Sequence, residues 1–296
     1  MAGTKEIKTH IESVRETRKI TNAMYLIAST KLRRARADLE NTRPFFEAAR
    51  GEIKRIFRTA NDVDSQYFYP VDNDTPREGT YACLVITADK GLAGAYNQNA
   101  IREAMKLLDQ HPDTKLFVVG EYGRRFFSQH HIPIERSFLY TAQNPTMDRA
   151  RKISALLLEG FDQGTFQEIF VVYTDLESAM SFQARSVRLL PFHRTHFATP
   201  PGERAVTTHF EFLPNVNSVL DNMIPSYVSG YIYSALIDSF CCEQNARMTA
   251  MDSANQNAEK LLGELSLQFN RVRQSAITQE ITEVSAGAKA QRQRKE

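Results

Sequence analysis

The first 58 residues repeat every seven. One column of positions reads Ile7, Val14, Thr21, Ala28, Ala35, Thr42, Ala49 and Ile56, and its companion reads Ile11, Arg18, Tyr25, Leu32, Leu39, Phe46 and Ile53. Twelve of these fifteen positions are apolar, and the spacing holds over seven heptads without drifting to 3.6. A sustained 3.5 period predicts a helix whose seam faces another helix in a left-handed supercoil, and not a globular core. The small residues at 21, 28, 35, 42 and 49 ask for close backbone approach, and Arg18 marks a polar spot in the seam. Pro44 and Gly51 fall on the outer faces, and the pattern continues through both.

A second helix is predicted from about Tyr227 to Ala286, with Gly287 as its stop. Its seam is looser: Ala254, Ala258, Leu261 or Leu262, Leu265, Phe269, Val272 and Ala276 recur at three and four. Each of the two helices would be on the order of 80 to 90 Å long at 1.5 Å per residue. The segment between them must fold as one unit, so both attach to it by their inner ends. An antiparallel coil projecting from a domain is the economical geometry.

The middle of the chain alternates. Tyr81 to Thr87, Lys115 to Val119 and Glu168 to Thr174 read as continuous apolar strands. Asn97 to Gln110, Glu121 to Gln129 and Asp148 to Gln163 read as helices between and after them, the last entered at Asp148 as cap. Strands without inside/outside alternation, separated by helices, predict a mostly parallel sheet covered on both faces. Shorter strands are expected at Ser186 to Leu190 and Thr208 to Leu213, and linkers at 59–79 and 198–206, which are rich in turn formers. The tail from Gly287 is expected to fray. The fold class is thus α/β: helices 1–58 and 218–296 paired as a long antiparallel coiled coil, with an α/β domain over 80–213 inserted between them.

Charge sharpens this division. The formal charge of +2 over 296 residues names no partner, but residues 1–58 carry +7, residues 59–236 carry −5 and the rest are neutral. Between Arg18 and Arg36 there are six Lys/Arg and no acid. No run of 18 apolar residues exists to span a bilayer. The N-terminus has neither an apolar secretory core nor an Arg/Ser-rich transit pattern, so a cytoplasmic location is expected. Cys83, Cys241 and Cys242 match no metal or redox spacing and are expected to be buried packing residues.

Candidate chemistry is thin. Gly91-Leu92-Ala93-Gly94 follows the first strand but is neither GxGxxG nor GxxxxGK[ST], so a tight turn into the next helix accounts for it better than a phosphate loop. His130-His131 and His193-x2-His196 lack the partners of a zinc site. Asp89 and Lys90 have no nucleophile in their vicinity of sequence. The basic stretch Lys31 to Arg36 lacks the interleaved aromatics of a nucleic-acid platform, so a solvated or partner-facing surface is favoured, and a protein partner should be acidic there. Two other classes stay open on residues alone. One is a small α/β enzyme with an oligomerisation arm, and the other a nucleic-acid-binding coil.

Two segments say more. Ile20 to Ala35 (ITNAMYLIASTKLRRA) and Gln244 to Ala288 closely resemble the gamma subunit family of the F-type ATP synthases. Thr87 to Asn97 (TADKGLAGAYN) resembles that family's strand-end signature, usually SSDRGLCGGFN. The resemblance runs over essentially the whole chain. It implies two terminal helices coiled around each other, a Rossmann-like inserted domain, and the role of a central rotary shaft without active site, cofactor or metal. The implied partners are alpha and beta subunits of a catalytic hexamer, an epsilon subunit and a membrane ring of c subunits, with one copy per complex and no nucleic acid.

By motif, Arg247, Arg273 and Gln274 match residues that bond the acidic catch loop of beta, with Thr278 and Glu280 beside them. Met24 matches the methionine that faces the acidic lever of beta. The sequence departs from the family at Ala93 (usually Cys), at Ala95 (usually Gly) and at Tyr25-Leu26-Ile27. The chloroplast form's inserted cysteine pair is missing, and a bacterial source is implied, with the chain peripheral on the cytoplasmic face of the plasma membrane.

Overall fold

The computed structural model describes residues 3–59, 65–69, 77–176, 182–193 and 212–293. The elements are α1 (Thr4–Thr59), β1 (Tyr81–Ile86), α2 (Tyr96–Gln110), β2 (Lys115–Val119), α3 (Glu121–Gln129), β3 (Ile134–Phe138), α4 (Met147–Asp162), β4 (Glu168–Leu176), β5 (Phe182–Leu190) and α5 (Val216–Gln293). They divide into two compact units: Met1–Ala28 with Met248–Glu296, and Ser29–Arg247. None of the described helices is long and apolar enough to cross a membrane.

In the first unit α1 and α5 lie side by side. Ile7, Ile11 and Leu265 are buried together, with Val14, Leu262, Phe269 and Val272 packed on them. Each such side chain withdrawn from water contributes about 1.5–3 kcal/mol. Beyond this cluster Arg18 Nη1 lies 3.8 Å from Glu259 Oε1, and the Thr21 hydroxyl donates to Asn255 Oδ1. The partner number falls along α5 as it rises along α1, so the helices run in opposite directions here. Every buried residue of α1 among the described side chains (Ile7, Ile11, Ala28, Leu32, Ala35, Ile53 and Ile56) belongs to the two heptad columns. Arg18 is the column position left exposed.

The second unit is built on a five-stranded sheet of order β3-β2-β1-β4-β5. β1 pairs in parallel with β2 and β4, β2 in parallel with β3, and β4 antiparallel with β5. On one face Cys83, Val85, Leu116 and Val118 pack with Ile101, Ala104 and Leu107 of α2 and Phe127 of α3. The alternate β1 residues Ala82, Leu84 and Ile86 are equally buried, so the other face is covered as well. Burial pushes the Cys83 and Cys241 thiols up to about 12, which suits inert packing residues.

Several boundaries differ from the sequence expectation. β3 was not anticipated: an edge strand with Glu135 and Arg136 exposed lacks the continuous apolar signature of its neighbours. α4 is capped by Thr146, whose hydroxyl accepts from Arg149 N at 3.3 Å, and not by Asp148. α5 starts well before Tyr227, at an Asn215 cap that accepts from Ser218 N at 2.8 Å. Pro225 lies inside it, flanked by fully buried Ile224 and Val228 whose packing offsets the missing amide bond. Nor does Gly287 stop the helix, which continues to Gln293: one glycine between alanines costs about 1 kcal/mol, too little to end it alone.

The expected linker 59–79 also needs correction where it is described. Tyr67, Phe68 and Tyr69 are buried, and Phe68 pairs with Phe192. Three consecutive aromatics outweigh the surrounding turn formers: Phe68 meets Phe57 at 4.6 Å and Phe192 at 5.7 Å, and Phe192 meets Tyr227 of α5 at 5.4 Å. The expected strand near 186–190 is the longer β5. Residues 208–211 of the other short strand, the 198–206 linker and His196 lie outside the described residues, and Phe212 and Leu213 carry no strand.

Candidate functional site

The segment Thr87 to Asn97 continues β1, and its Thr87 and Asp89 side chains bond to neighbouring elements while Asn97 bonds back within the segment. The Thr87 hydroxyl donates to the Val119 carbonyl at 2.8 Å and accepts from Gly123 N at 3.0 Å, tying β1 to β2 and α3. Asp89 Oδ1 accepts from Glu121 N at 2.9 Å, capping α3 from another strand. Asn97 closes the loop from the far side: its Oδ1 accepts from Ala88 N at 2.9 Å and its Nδ2 donates to the Lys90 carbonyl at 3.5 Å. Tyr96, 1% exposed, packs with Ala88 and Ala93 against Cys242 and Ala246 of α5. Leu92 adopts φ 61° and is exposed, a left-handed conformation that costs about 1–2 kcal/mol outside glycine.

Arg247 completes this junction. Its Nη1 lies 2.5 Å from Glu243 Oε1, and its Nη2 donates to the Gly91 carbonyl at 3.1 Å and the Lys90 carbonyl at 3.4 Å. Both side chains are nearly enclosed, 11% and 7% exposed. Burial raises the Glu243 carboxyl above its usual range, and Arg247 opposes that. A phosphate loop turns amide N–H groups toward its ligand. Here the loop turns two carbonyls toward a guanidinium, the opposite polarity.

A cleft of about 850 Å³ opens beside the loop, lined by Lys90, Tyr122, Arg124, Arg125, Phe126 and Tyr140 among others. Two of its cations, Arg124 and Arg125, share one carboxylate. Glu121 receives Arg124 through two bonds of 2.7 and 2.6 Å and Arg125 through one of 2.8 Å, which hold its carboxyl down at about 2. The helix N-terminus that would attract an anion is already occupied by Asp89.

The other expected site residues lie in the first unit. Arg273, Gln274, Thr278 and Glu280 are exposed on α5, the Thr278 hydroxyl turned back onto the Gln274 carbonyl at 2.9 Å. They share this stretch with exposed Ile277, Ile281 and Val284, spaced four and three apart. Met24 is half-buried on α1, near exposed Ile20, Leu26 and Ile27 in sequence. The structure therefore groups Arg273, Gln274, Thr278 and Glu280 on one helical segment. It engages Arg247 separately, with Glu243 and the β1 loop, a partnership that sequence reasoning missed. The only local signal was the i, i+4 spacing of Glu243 and Arg247.

Long helices that leave apolar and polar side chains exposed in the same stretch, joined to a sheet whose strand-end loop is closed on itself, define a protein that works through contacts with other chains. Comparison with known proteins says which. The family model described as ATP synthase matches residues 3–291. The ATP synthase gamma chain of Acetivibrio thermocellus is 38% identical over 98% of this chain and 99% of its own length. That of Caldanaerobacter subterraneus is 38% identical over 97% and 99%. Among solved structures, the central stalk and c-ring of the Tetrahymena thermophila mitochondrial ATP synthase matches with a TM-score of 0.56 and 24% identity, over 79% of this chain and 99% of that one.

The chain belongs to the ATP synthase gamma chain family. Its function is that of a central rotary shaft in an F-type ATP synthase, coupling ion translocation to ATP synthesis or hydrolysis as a non-catalytic subunit.

Proposed function

We propose that this shaft works as one copy per complex between a hexamer of alpha and beta subunits and a ring of c subunits, with epsilon bound at the side. Segments 1–58 and 218–296 form the antiparallel coil and 80–213 the Rossmann-like insert. The observation that carries the reading is the exposed stretch of α5 where Ile277, Ile281 and Val284 alternate with Arg273, Gln274, Thr278 and Glu280. Apolar side chains recurring along a helix face call for a protein surface. Guanidinium and amide donors among them suit carboxylates of a beta catch loop, through bonds that are directional yet can break at each step. Met24, flexible and uncharged, would slide past an acidic lever of beta without forming an ion pair. The assembly sits peripherally on the cytoplasmic face of a bacterial plasma membrane.

The coupling requirement is physical: an asymmetric shaft must favour different conformations in each of the beta subunits it faces, by differential contact. Replacing Arg273 and Gln274 by Ala is expected to lower turnover of the assembled enzyme, with nucleotide affinity of isolated beta unchanged. Unaltered steady-state turnover would remove the catch-loop assignment. Affinity purification of the tagged chain from gently solubilised membranes, with subunit counting, tests the partners and the copy number.

A further inference from the structure

The gamma signature segment forms a joint, and its closure depends on one residue of α5. We infer that Arg247 is a positioning residue that latches the β1–α2 loop to α5, so that the sheet turns with the helix. The inference rests on the shaft reading only for its consequence in the assembled enzyme.

Three features of the structure support it. The guanidinium spans two elements, with Glu243 on its own helix and the Lys90 and Gly91 carbonyls on the loop. It is nearly enclosed, so little of it is left to offer another chain. The loop it closes is the one through which Thr87, Asp89, Tyr96 and Asn97 fix β1, α3 and α2 to one another. Only a guanidinium can satisfy this arrangement: a lysine ammonium at the same place lacks the fork that reaches a carboxylate and two carbonyls together.

The charge arithmetic makes the latch testable in the full chain alone. Glu243 is faced by Arg247 on α5, by Asp89 on the β1 loop, by the buried Tyr96 hydroxyl of α2 and by Lys31 on α1. Removing Arg247 leaves a nearly enclosed carboxylate with a second carboxylate, Asp89, nearby and Lys31 on the opposing side. Stranding one member of a buried pair is costly, whereas removing both is nearly neutral. The proton then favours Glu243, and the variant loses stability as the pH rises through the raised carboxyl range.

The experiment compares Arg247→Gln, Arg247→Lys, Glu243→Gln and the Arg247→Gln/Glu243→Gln pair. Hydrogen exchange of the full chain should show amides of residues 90–97 opening on the order of tenfold more often in Arg247→Gln, with β2 and α4 unchanged. The double variant should recover most of the thermal stability that the single one loses at pH 8. Arg247→Lys should give an intermediate effect and serves if the glutamine variant does not fold. In the reconstituted complex, ions pumped per ATP hydrolysed should fall by about half or more while ATP turnover persists.

Unchanged loop exchange in the isolated chain, together with lost turnover in the complex, would place Arg247 at a contact with another subunit and overturn the latch. Faster loop exchange with an unaltered pumping ratio would overturn its part in transmission. Failure to assemble with alpha and beta would count against the shaft reading and leave the exchange result standing.

Discussion

Where a side chain on Gly120 would begin, the carbonyl oxygen of Thr87 already lies 2.2 Å away. The two residues immediately follow β1 and β2, and their backbones pass so closely that only a hydrogen fits between them. Gly120 also holds φ +95°, outside the range that L side chains adopt readily. Gly120→Ala must therefore move main chain, because neither the carbonyl nor the residue can rotate aside. The expected loss is about 3 kcal/mol or more, from strain and overpacking together. Thermal unfolding of the purified chain measures it. Gly263→Ala is the control, since a Cβ there meets nothing within 4 Å in a helix interior, and it should raise stability by about 0.5–1 kcal/mol.

Glu168 is 1% exposed at the start of β4 and accepts from the Tyr69 hydroxyl and from Arg77 N at 2.7 Å. Arg188 of β5 lies 3.6 Å away with its guanidinium over the Tyr69 ring. Glu168→Ala strands this half-enclosed cation and is expected to cost about 3–5 kcal/mol. Tyr69→Phe removes a hydroxyl that donates to Glu168 and accepts from Arg188 Nη1 at 3.1 Å, and should cost about 1.5–3 kcal/mol. Both act through one carboxylate, so the double variant should lose clearly less than their sum in urea unfolding. Strict additivity would show that the hydroxyl acts independently of Glu168.

These two sites mark how far a sequence reads. The columns from Ile7 to Ile56 were legible because a helix seam is a local period, and the buried strands β1, β2 and β4 because both of their faces are covered. β3 escaped because Glu135 and Arg136 sit on an edge, where the apolar run is not required. Tyr67 to Tyr69 passed for linker because their burial is created by Phe192 and Glu168, about 100–125 residues further on. The signature loop was recognisable as a motif, yet its link to Arg247 was not, since nothing local announces which guanidinium will meet a carbonyl. What the resemblance supplied was the work of the chain, which no period or spacing contains.

Asp238 on α5 is held at about 6 by burial first and by the Asp175 carboxylate of β4 second, with a hydroxyl bond from Ser234 opposing at 3.4 Å. Its folded value exceeds the ordinary 3.8, so the folded state binds this proton more tightly than the unfolded chain does. Stability from this group is complete below about pH 4 and is lost as the pH rises through 6. Asp238→Asn should therefore flatten the unfolding profile between pH 4 and 6.5 and stabilise the chain at pH 8 by about 1–2 kcal/mol. A profile with the wild-type slope would mean that Asp238 is ionised at no cost.

The seam of the first unit changes character at Arg18 and Thr21, where apolar contacts give way to Glu259 and Asn255. Arg18 and Glu259 are 45% and 71% exposed, so their attraction is screened and Arg18→Ala should change stability by less than about 0.5 kcal/mol, with no marked salt dependence. Thr21 and Asn255 are half-buried, and their bond is satisfied only in the native register. A polar pair in a helix seam gives up stability for a single alignment. Thr21→Val with Asn255→Leu should therefore raise local stability, slowing exchange of the amides around 14–25 several-fold. The same change should loosen the register, since Val and Leu pack acceptably one turn out of place. Cysteine pairs placed at 14/262 and at one-turn offsets read that register directly. Cross-linking confined to the native pair in the double variant would show that the apolar contacts of Ile7, Ile11 and Leu265 fix the alignment unaided.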